Sequence, residues 1–134
     1  DKINSAIKFR ENFRPFAPAI LEEYTLDYFN LNRHHDVPFM EKVFMIKKSK
    51  QKFIPAVTHK DGSGRLQTVT RKYNQKFYSL ISEFYNITGI PILLNTSFNI
   101  NNEPIVCSPS DAVKTFYSCG LDILVINNFI IKKN

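Results

Sequence analysis

A chain of 134 residues, 43% hydrophobic and 22% charged, has globular composition and the length to bury about two-thirds of its unfolded surface in one domain. No apolar run approaches the ~20 residues of a membrane span, and Asp1 to Lys8 lacks the basic-then-apolar order of a secretory signal, reading instead as a helix entered part-way. A net charge of +6 and a pI near 9.4 favour anionic partners without choosing among phosphate ligands, nucleic acid and acidic lipid.

In chain order, Ile3, Ala6 and Ile7 repeat at helical spacing up to about Glu11, while Arg14 precedes Pro15 and is biased towards extended geometry. The first helix is therefore expected to stop near Arg10. Phe16 to Leu21 reads as a strand or extended segment, Glu22 to Leu31 fits a short helix or a loop, and Arg33 to Pro38 is loop. Phe39 to Ile46 and Phe53 to Thr58 carry strand-like content, and Arg65 to Val69 resumes it after Lys60-Asp61-Gly62-Ser63-Gly64, which predicts a strand, tight loop, strand unit. The run Lys47, Lys48, Lys50 and Lys52 reads as a solvated strand or turn, with a nucleic-acid patch as the alternative.

From Asn74 to Thr88, Phe77, Leu80, Ile81, Phe84 and Tyr85 recur at helical offsets, with Asn74 as cap and Gly89 as stop. Gly89 to Asn99 then runs apolar before breaking into amides and hydroxyls, a buried strand delivering Asn95, Thr96, Ser97 and Asn99 to one end of a sheet. Pro104 to Cys107 is a short extended piece. Ser108 caps a second helix with Pro109 in its first turn and Gly120 at its close, and Ile123 to Ile126 with Phe129 to Ile131 reads as a hairpin around Asn127-Asn128. Helices between strands, plus hairpins, predict an α/β (α+β) fold, a mixed sheet with helices packed on it. Cys107 and Cys119 have neither zinc-site spacing nor the count of a disulfide scaffold and read as buried free thiols in a reducing cytoplasm. His34, His35 and Asp36 sit in a polar loop, and no bound metal is expected.

Three segments can carry chemistry. In Lys8 to Pro18, Phe9, Phe13 and Phe16 alternate with Lys8, Arg10 and Arg14, so that the rings can anchor in the core while the cations extend together towards phosphate or carboxylate. An ion pair of Arg10 with Glu11, Glu22 or Glu23 is the plain structural alternative. In Pro55 to Arg65, Gly62 and Gly64 ahead of Arg65 can bring backbone N–H groups and a guanidinium onto one anion, although Asp-Gly-Ser-Gly is also an ordinary hairpin loop. It lacks the Gly-Lys-Ser/Thr ending of a P-loop. His59 fits a general acid or base as well as a structural or ligand-orienting histidine. In the third segment Asn95 follows four apolar residues, a position expected to be buried and to need a partner; capping and turning the chain is the plain use of Asn95, Thr96 and Ser97.

Together these segments, Lys-Phe-Arg-Glu-Asn-Phe-Arg-Pro-Phe-Ala-Pro-Ala-Ile-Leu (8–21), Ile-Pro-Ala-Val-Thr-His-Lys-Asp-Gly-Ser-Gly-Arg-Leu-Gln-Thr-Val (54–69) and Leu-Leu-Asn-Thr-Ser-Phe-Asn (93–99), resemble the carboxy-terminal domain of NodU/CmcH-type O-carbamoyltransferases. Glu103 to Val106 and Ser108 to Ala112 continue the match, which covers essentially residues 1–134 as a single domain. The resemblance implies a YrdC-like fold, a twisted mixed sheet flanked by helices, in which Lys8-Phe9-Arg10 and Ser97-Phe98-Asn99 are similar to the Lys-x-Arg and Ser-x-Asn signatures of threonylcarbamoyladenylate-forming proteins. It implies that carbamoyl phosphate is broken down and its carbamoyl group joined to AMP from ATP, with release of pyrophosphate.

By the same resemblance Arg10 and Arg65 clamp carbamoyl phosphate, with Lys8 beside them, and Asn95 binds the carbamoyl end. Arg14, Ser97 and Asn99 meet ATP, while His59 and Thr96 are further candidates. Mg²⁺ accompanies ATP, held largely by phosphate oxygens. The carbamoyladenylate then passes to an amino-terminal domain of the actin-like ATPase type with an iron-containing acceptor site. That domain is absent from this sequence, so the expectation is a cytoplasmic domain excised from a larger two-domain enzyme and incomplete by itself. The acceptor, which could be a nodulation-type oligosaccharide, an antibiotic or another cell-surface sugar, and any homodimer are left open. A basic nucleic-acid-binding module and an inactive structural or interaction domain are the alternatives; the first predicts RNA binding that falls steeply with salt.

Overall fold

The computed structural model describes residues 3–9 and 16–133. It comprises two compact units, one built from Pro15–Thr96 and the other from Asp1–Arg14 with Ser97–Asn134.

The Pro15–Thr96 unit is organised around β1 (Ala17–Leu21), which is buried at every residue. Flanking it are β3 (Ser63–Val69) on one side and β4 (Ile92–Asn95) on the other, with β2 (Lys42–Met45) on the far edge, giving the order β2-β3-β1-β4. β1 pairs parallel with β3 from Ala19↔Gln67 to Leu21↔Val69 and antiparallel with β4 from Ala17↔Asn95 to Ile20↔Ile92; β2 pairs antiparallel with β3. The sheet is thus mixed, as expected. Pro18 is tolerated in an interior strand because the pairing with β3 begins one residue later, at Ala19.

Opposed residues share a face, so Ala17, Ala19 and Leu21 lie with Arg65, Gln67 and Val69 and with Leu93 and Asn95. Helix α3 (Gln75–Thr88) covers one end of that face. Its Ile81 joins Ala19, Leu21 and Val69 in a buried cluster flanked by Phe77, Tyr78, Tyr24 and Leu93. Burying each larger aliphatic there contributes roughly 1.5–3 kcal/mol. Asn74 caps α3 by accepting from the Phe77 N–H (3.0 Å), and Gly89 ends it at φ 71°, both as read from sequence. The buried stripe differs in one position: Leu80 is exposed, while Tyr78 turns inward and donates its hydroxyl to Glu23.

Two local expectations, for Phe53 to Thr58 and for the lysine run, are corrected, and Glu22 to Leu31, read as a short helix or a loop, contains a short helix. Phe53 to Thr58 contains a single 3₁₀ turn, Pro55–Val57, because Pro55 starts a tight turn and removes a ladder donor; the strand paired with β3 is β2. The lysine run forms α2 (Lys48–Gln51), where Lys50 lies over the Tyr28 ring and Lys52 over Phe53. Between β1 and β2, Glu22–Tyr24 is a 3₁₀ turn leading into α1 (Thr25–Tyr28), and His34 is tied to this bend through Thr25 Oγ1 (2.9 Å) and the Glu22 carbonyl (3.1 Å).

In the second unit a π-helical turn, Asn4–Lys8, ends at Phe9, whose φ of 50° is left-handed. Arg10, Arg14, Glu11 and Phe13 lie outside the described residues. Helix α4 (Pro109–Tyr117) opens with a complete capping box: Ser108 Oγ accepts from the Asp111 N–H, and Asp111 accepts from the Ser108 N–H. Ser108 Oγ and the Cys107 thiol also point at Asp111 Oδ2, and these hydrogen bonds hold its carboxyl below the usual carboxylate range. Ala112 and Phe116 of α4 pack with Leu124 of the hairpin β5 (Ile123–Ile126) and β6 (Phe129–Lys132), which turns through Asn127 at φ 50° as expected. Cys119 is buried, but Cys107 is exposed, because it precedes the cap rather than facing the packed side of α4.

Gly120 does not itself close α4, the role expected of it. α4 ends at Tyr117, and Gly120 instead donates its N–H to the Ala6 carbonyl at 2.6 Å. A Cβ there would fall 2.7 Å from the same oxygen, a backbone atom that cannot yield cheaply. Gly120→Ala is therefore expected to destabilise the fold by roughly 1–3 kcal/mol in urea denaturation, whereas Gly89→Ala, with nothing within 4 Å of its Cβ, bears only the left-handed backbone penalty of about 1–2 kcal/mol. A neutral Gly120→Ala would contradict this packing.

Candidate functional site

Beyond the part covered by α3, the same sheet face carries a polar row. Side chains alternate along β3, so Ser63, Arg65, Gln67 and Val69 project to one side, spaced about 7 Å from one to the next. Val69 belongs to the core; the other three lead away from it. Arg65 is exposed, and its side chain makes no hydrogen bond or ion pair among the described residues. An unpaired guanidinium beside a buried strand is a ready fork for two oxygens of one anion.

At one end of this row His59 is bound to Ser63. Its Nδ1 lies 2.9 Å from Ser63 Oγ, and its main-chain N–H donates to the Ser63 carbonyl at 2.8 Å. Ser63 Oγ in turn donates to Asp61 Oδ1 (2.7 Å), which also accepts the Ser63 N–H (2.9 Å). Those hydrogen bonds from Ser63 are what hold the Asp61 carboxyl below the usual carboxylate range. The serine proton is committed to Asp61, so His59 Nδ1 must be the donor to Ser63 and the neutral ring carries its lone pair on Nε2. Nε2 is buried and has no hydrogen-bond partner among the described residues. The sequence reading placed His59 among the candidates but missed Ser63 and Asp61 as the pair that orients it; the i, i+2, i+4 spacing was the available signal.

At the other end Asn95 Nδ2 donates to Gln67 Oε1 at 2.8 Å, and Gln67 Nε2 donates to the Pro38 carbonyl at 2.9 Å. β3 and β4 flank β1, so the Gln67–Asn95 bond passes over β1, where Ala17 and Ala19 leave the room. Asn95 is half-buried rather than fully enclosed, and its expected partner is found in Gln67. Thr96 follows at the strand end, also half-buried. Gln67 further lines a cavity of about 500 Å³ together with Pro38, Phe39, Thr70, Tyr73 and Phe77. Among the described residues no lysine or arginine lines it and the Asp36 carboxylate does, so it suits an uncharged group better than a phosphate.

In the second unit Lys8, Ser97 and Asn99 come together. The Lys8 ammonium donates to the main-chain carbonyls of Ser97 and Asn99 (2.9 Å for the latter), to Asn99 Oδ1 (3.0 Å) and, at 3.4 Å, towards Ser97 Oγ. Ser97 Oγ donates to Asn99 Oδ1 (2.6 Å), and Asn99 Nδ2 donates to the Glu103 carbonyl (2.9 Å). These oxygens explain how a lysine can be buried to 4% exposure: an ammonium leaves water only where hydrogen bonds replace hydration. The expectation that the aromatic rings anchor while the cations extend is thus reversed at this pair. The left-handed turn puts Phe9 at 51% exposure while Lys8 goes inside.

Among the described residues no cluster of three or more His, Cys, Asp or Glu is placed to hold a metal ion. Nor is any helix long and apolar enough to cross a membrane.

Residues 1–133 match the family described as Carbamoyltransferase C-terminus. The chain belongs to this family. It is 50% identical over 134 residues to nodulation protein NolNO of Sinorhizobium fredii and 47% identical over 134 residues to nodulation protein NolO of Bradyrhizobium diazoefficiens, each alignment covering 99% of this chain. Nodulation protein U of Sinorhizobium fredii is 43% identical over 99 residues, 74% of the chain. The chain spans 20% of the length of NolNO and 24% of that of NolO.

The Asp61–Ser63–His59 arrangement makes a direct prediction. Nitrogen-15 NMR of the imidazole at neutral pH should find His59 predominantly as the Nδ1–H tautomer. Ser63→Ala should erase that preference, and a predominantly Nε2–H ring in the unmutated protein would contradict the assignment.

Proposed function

We propose that this chain binds carbamoyl phosphate and ATP and forms carbamoyladenylate, as one part of a full-length enzyme that transfers the carbamoyl group to an acceptor hydroxyl. The observation that carries the reading is the gathering of Arg65, Gln67 and Asn95 on one open sheet face in a member of the carbamoyltransferase carboxy-terminal family. Carbamoyl phosphate has a doubly charged phosphoryl end and a neutral amide-like end. A free guanidinium matches the first and a fixed side-chain amide the second.

In this reading Arg65 holds the phosphoryl oxygens and Asn95 the carbamoyl group. Arg14 and Ser97 meet the nucleotide phosphates. Lys8 and Asn99 act through Ser97, since the buried ammonium fixes the loop that carries it. Preorganised donors stabilise charge developing on phosphoryl oxygens more than mobile ones do, because they need no reorganisation as the charge moves. Water breaks carbamoyl phosphate down to carbamate and phosphate, and a carbamate oxygen then bonds to the α-phosphorus of ATP as the bond to pyrophosphate breaks, giving carbamoyladenylate. The described residues offer no protein cage for Mg²⁺, so a magnesium ion arriving with ATP would depend on phosphate oxygens and water. The relatives named as nodulation proteins make an oligosaccharide hydroxyl one acceptor to test, with the acceptor site in the portion of those proteins outside this match.

Thermal-shift titration tests the reading. Carbamoyl phosphate should raise the melting temperature of the unmutated protein in a concentration-dependent way. Arg65→Ala, a change at an exposed side chain, should leave the ligand-free melting temperature within about 2 °C and weaken carbamoyl phosphate binding at least about tenfold. No shift, or an equal shift in Arg65→Ala, would refute the assignment.

A further inference from the structure

We propose that Gln67 is a positioning residue that decides which end of the Asn95 amide meets a carbamoyl ligand, and so makes the site select carbamoyl over acyl phosphates. The proposal rests on the reading that carbamoyl phosphate occupies the Arg65–Asn95 end of the sheet. Its own basis is the direction of a hydrogen-bond chain.

The Pro38 main-chain carbonyl can only accept. The Gln67 atom 2.9 Å from it must therefore be the amide nitrogen, which turns Gln67 Oε1 towards Asn95. An oxygen there needs a donor, so the Asn95 atom 2.8 Å away is Nδ2. The orientation of both amides follows from a group that cannot be reversed. Flipping Asn95 would set two acceptor oxygens against each other in a half-buried place. Asn95 Oδ1 is left with no hydrogen bond among the described residues, and it presents an acceptor.

A carbamoyl group offers N–H donors to such an acceptor. An acetyl group of nearly the same size offers a methyl, and would leave Oδ1 unsatisfied. A site built to receive an N–H rejects the analogue that lacks it. The chain of bonds is possible because β1 has alanine at 17 and 19, over which the Gln67 and Asn95 side chains meet.

The test compares carbamoyl phosphate with acetyl phosphate by titration calorimetry on the unmutated protein and on Gln67→Met, which keeps an unbranched side chain of similar length. The unmutated protein should bind carbamoyl phosphate about tenfold tighter than acetyl phosphate, the size of one hydrogen bond. Gln67→Met should bring that ratio to about one while acetyl phosphate affinity stays within about threefold, because Asn95 is then free to turn. A merely structural role for Gln67 would weaken both ligands alike and keep the ratio, which would overturn the proposal. If Gln67→Met does not fold, Gln67→Leu serves with the same expected ratio, since its side chain can neither donate to Pro38 nor accept from Asn95. Binding of both phosphates with no preference in the unmutated protein overturns the role of Gln67 alone. Binding of neither overturns the carbamoyl phosphate reading, and this inference with it.

Discussion

The constraint on which the rest depends is the burial of β1 between β3 and β4 with small side chains at its open end. Ala17 and Ala19 are both fully buried, yet they do different things. Ala19 sits at the margin of the cluster with Leu21, Val69 and Ile81, where α3 closes the sheet face. Ala17, opposite Asn95, lies outside that cluster. The same strand therefore anchors the core at one end and leaves a shallow polar floor at the other. A larger residue at either alanine would fill the space through which Gln67 and Asn95 join.

That floor has an ordered distribution of polarity. The guanidinium of Arg65 is uncommitted, whereas the amides of Gln67 and Asn95 and the imidazole of His59 are each fixed by a bond to the main chain or to another fixed group. Fixed dipoles discriminate between ligands, and an uncommitted charge supplies attraction. The Lys8 arrangement applies the opposite principle: its charge is spent on shaping the Ser97–Asn99 loop. Basic side chains in this chain thus fall into different physical classes despite similar appearance in the sequence.

Much of this was legible before the structure. The cap residues Asn74 and Ser108, the stop at Gly89 and the turn at Asn127 follow from local chemistry, and local chemistry decided them. The polar end of β4 was legible because four apolar residues cannot be followed by a half-buried asparagine without consequence. What escaped depends on partners distant in sequence. Gln67 looks like any polar residue on an alternating strand until Pro38 and Asn95 are brought beside it, 29 and 28 residues away. Lys8 and Phe9 exchange their expected environments because the loop oxygens that receive the ammonium lie some ninety residues further on. Gly120 matched a helix stop locally, but a close approach to Ala6 governs it. Phe53 to Thr58 had strand composition, and Pro55 decided otherwise.

The central claim is that the open end of this sheet face is a carbamoyl phosphate site in which charge and amide recognition are separated along one face. A crystal structure of the protein with carbamoyl phosphate tests it most directly. The account predicts phosphoryl oxygens on the Arg65 guanidinium and the carbamoyl nitrogen within hydrogen-bond distance of Asn95 Oδ1, with the Gln67 bonds to Pro38 and Asn95 intact. Ligand density elsewhere, or an Asn95 amide turned so that its nitrogen faces the ligand, would contradict it.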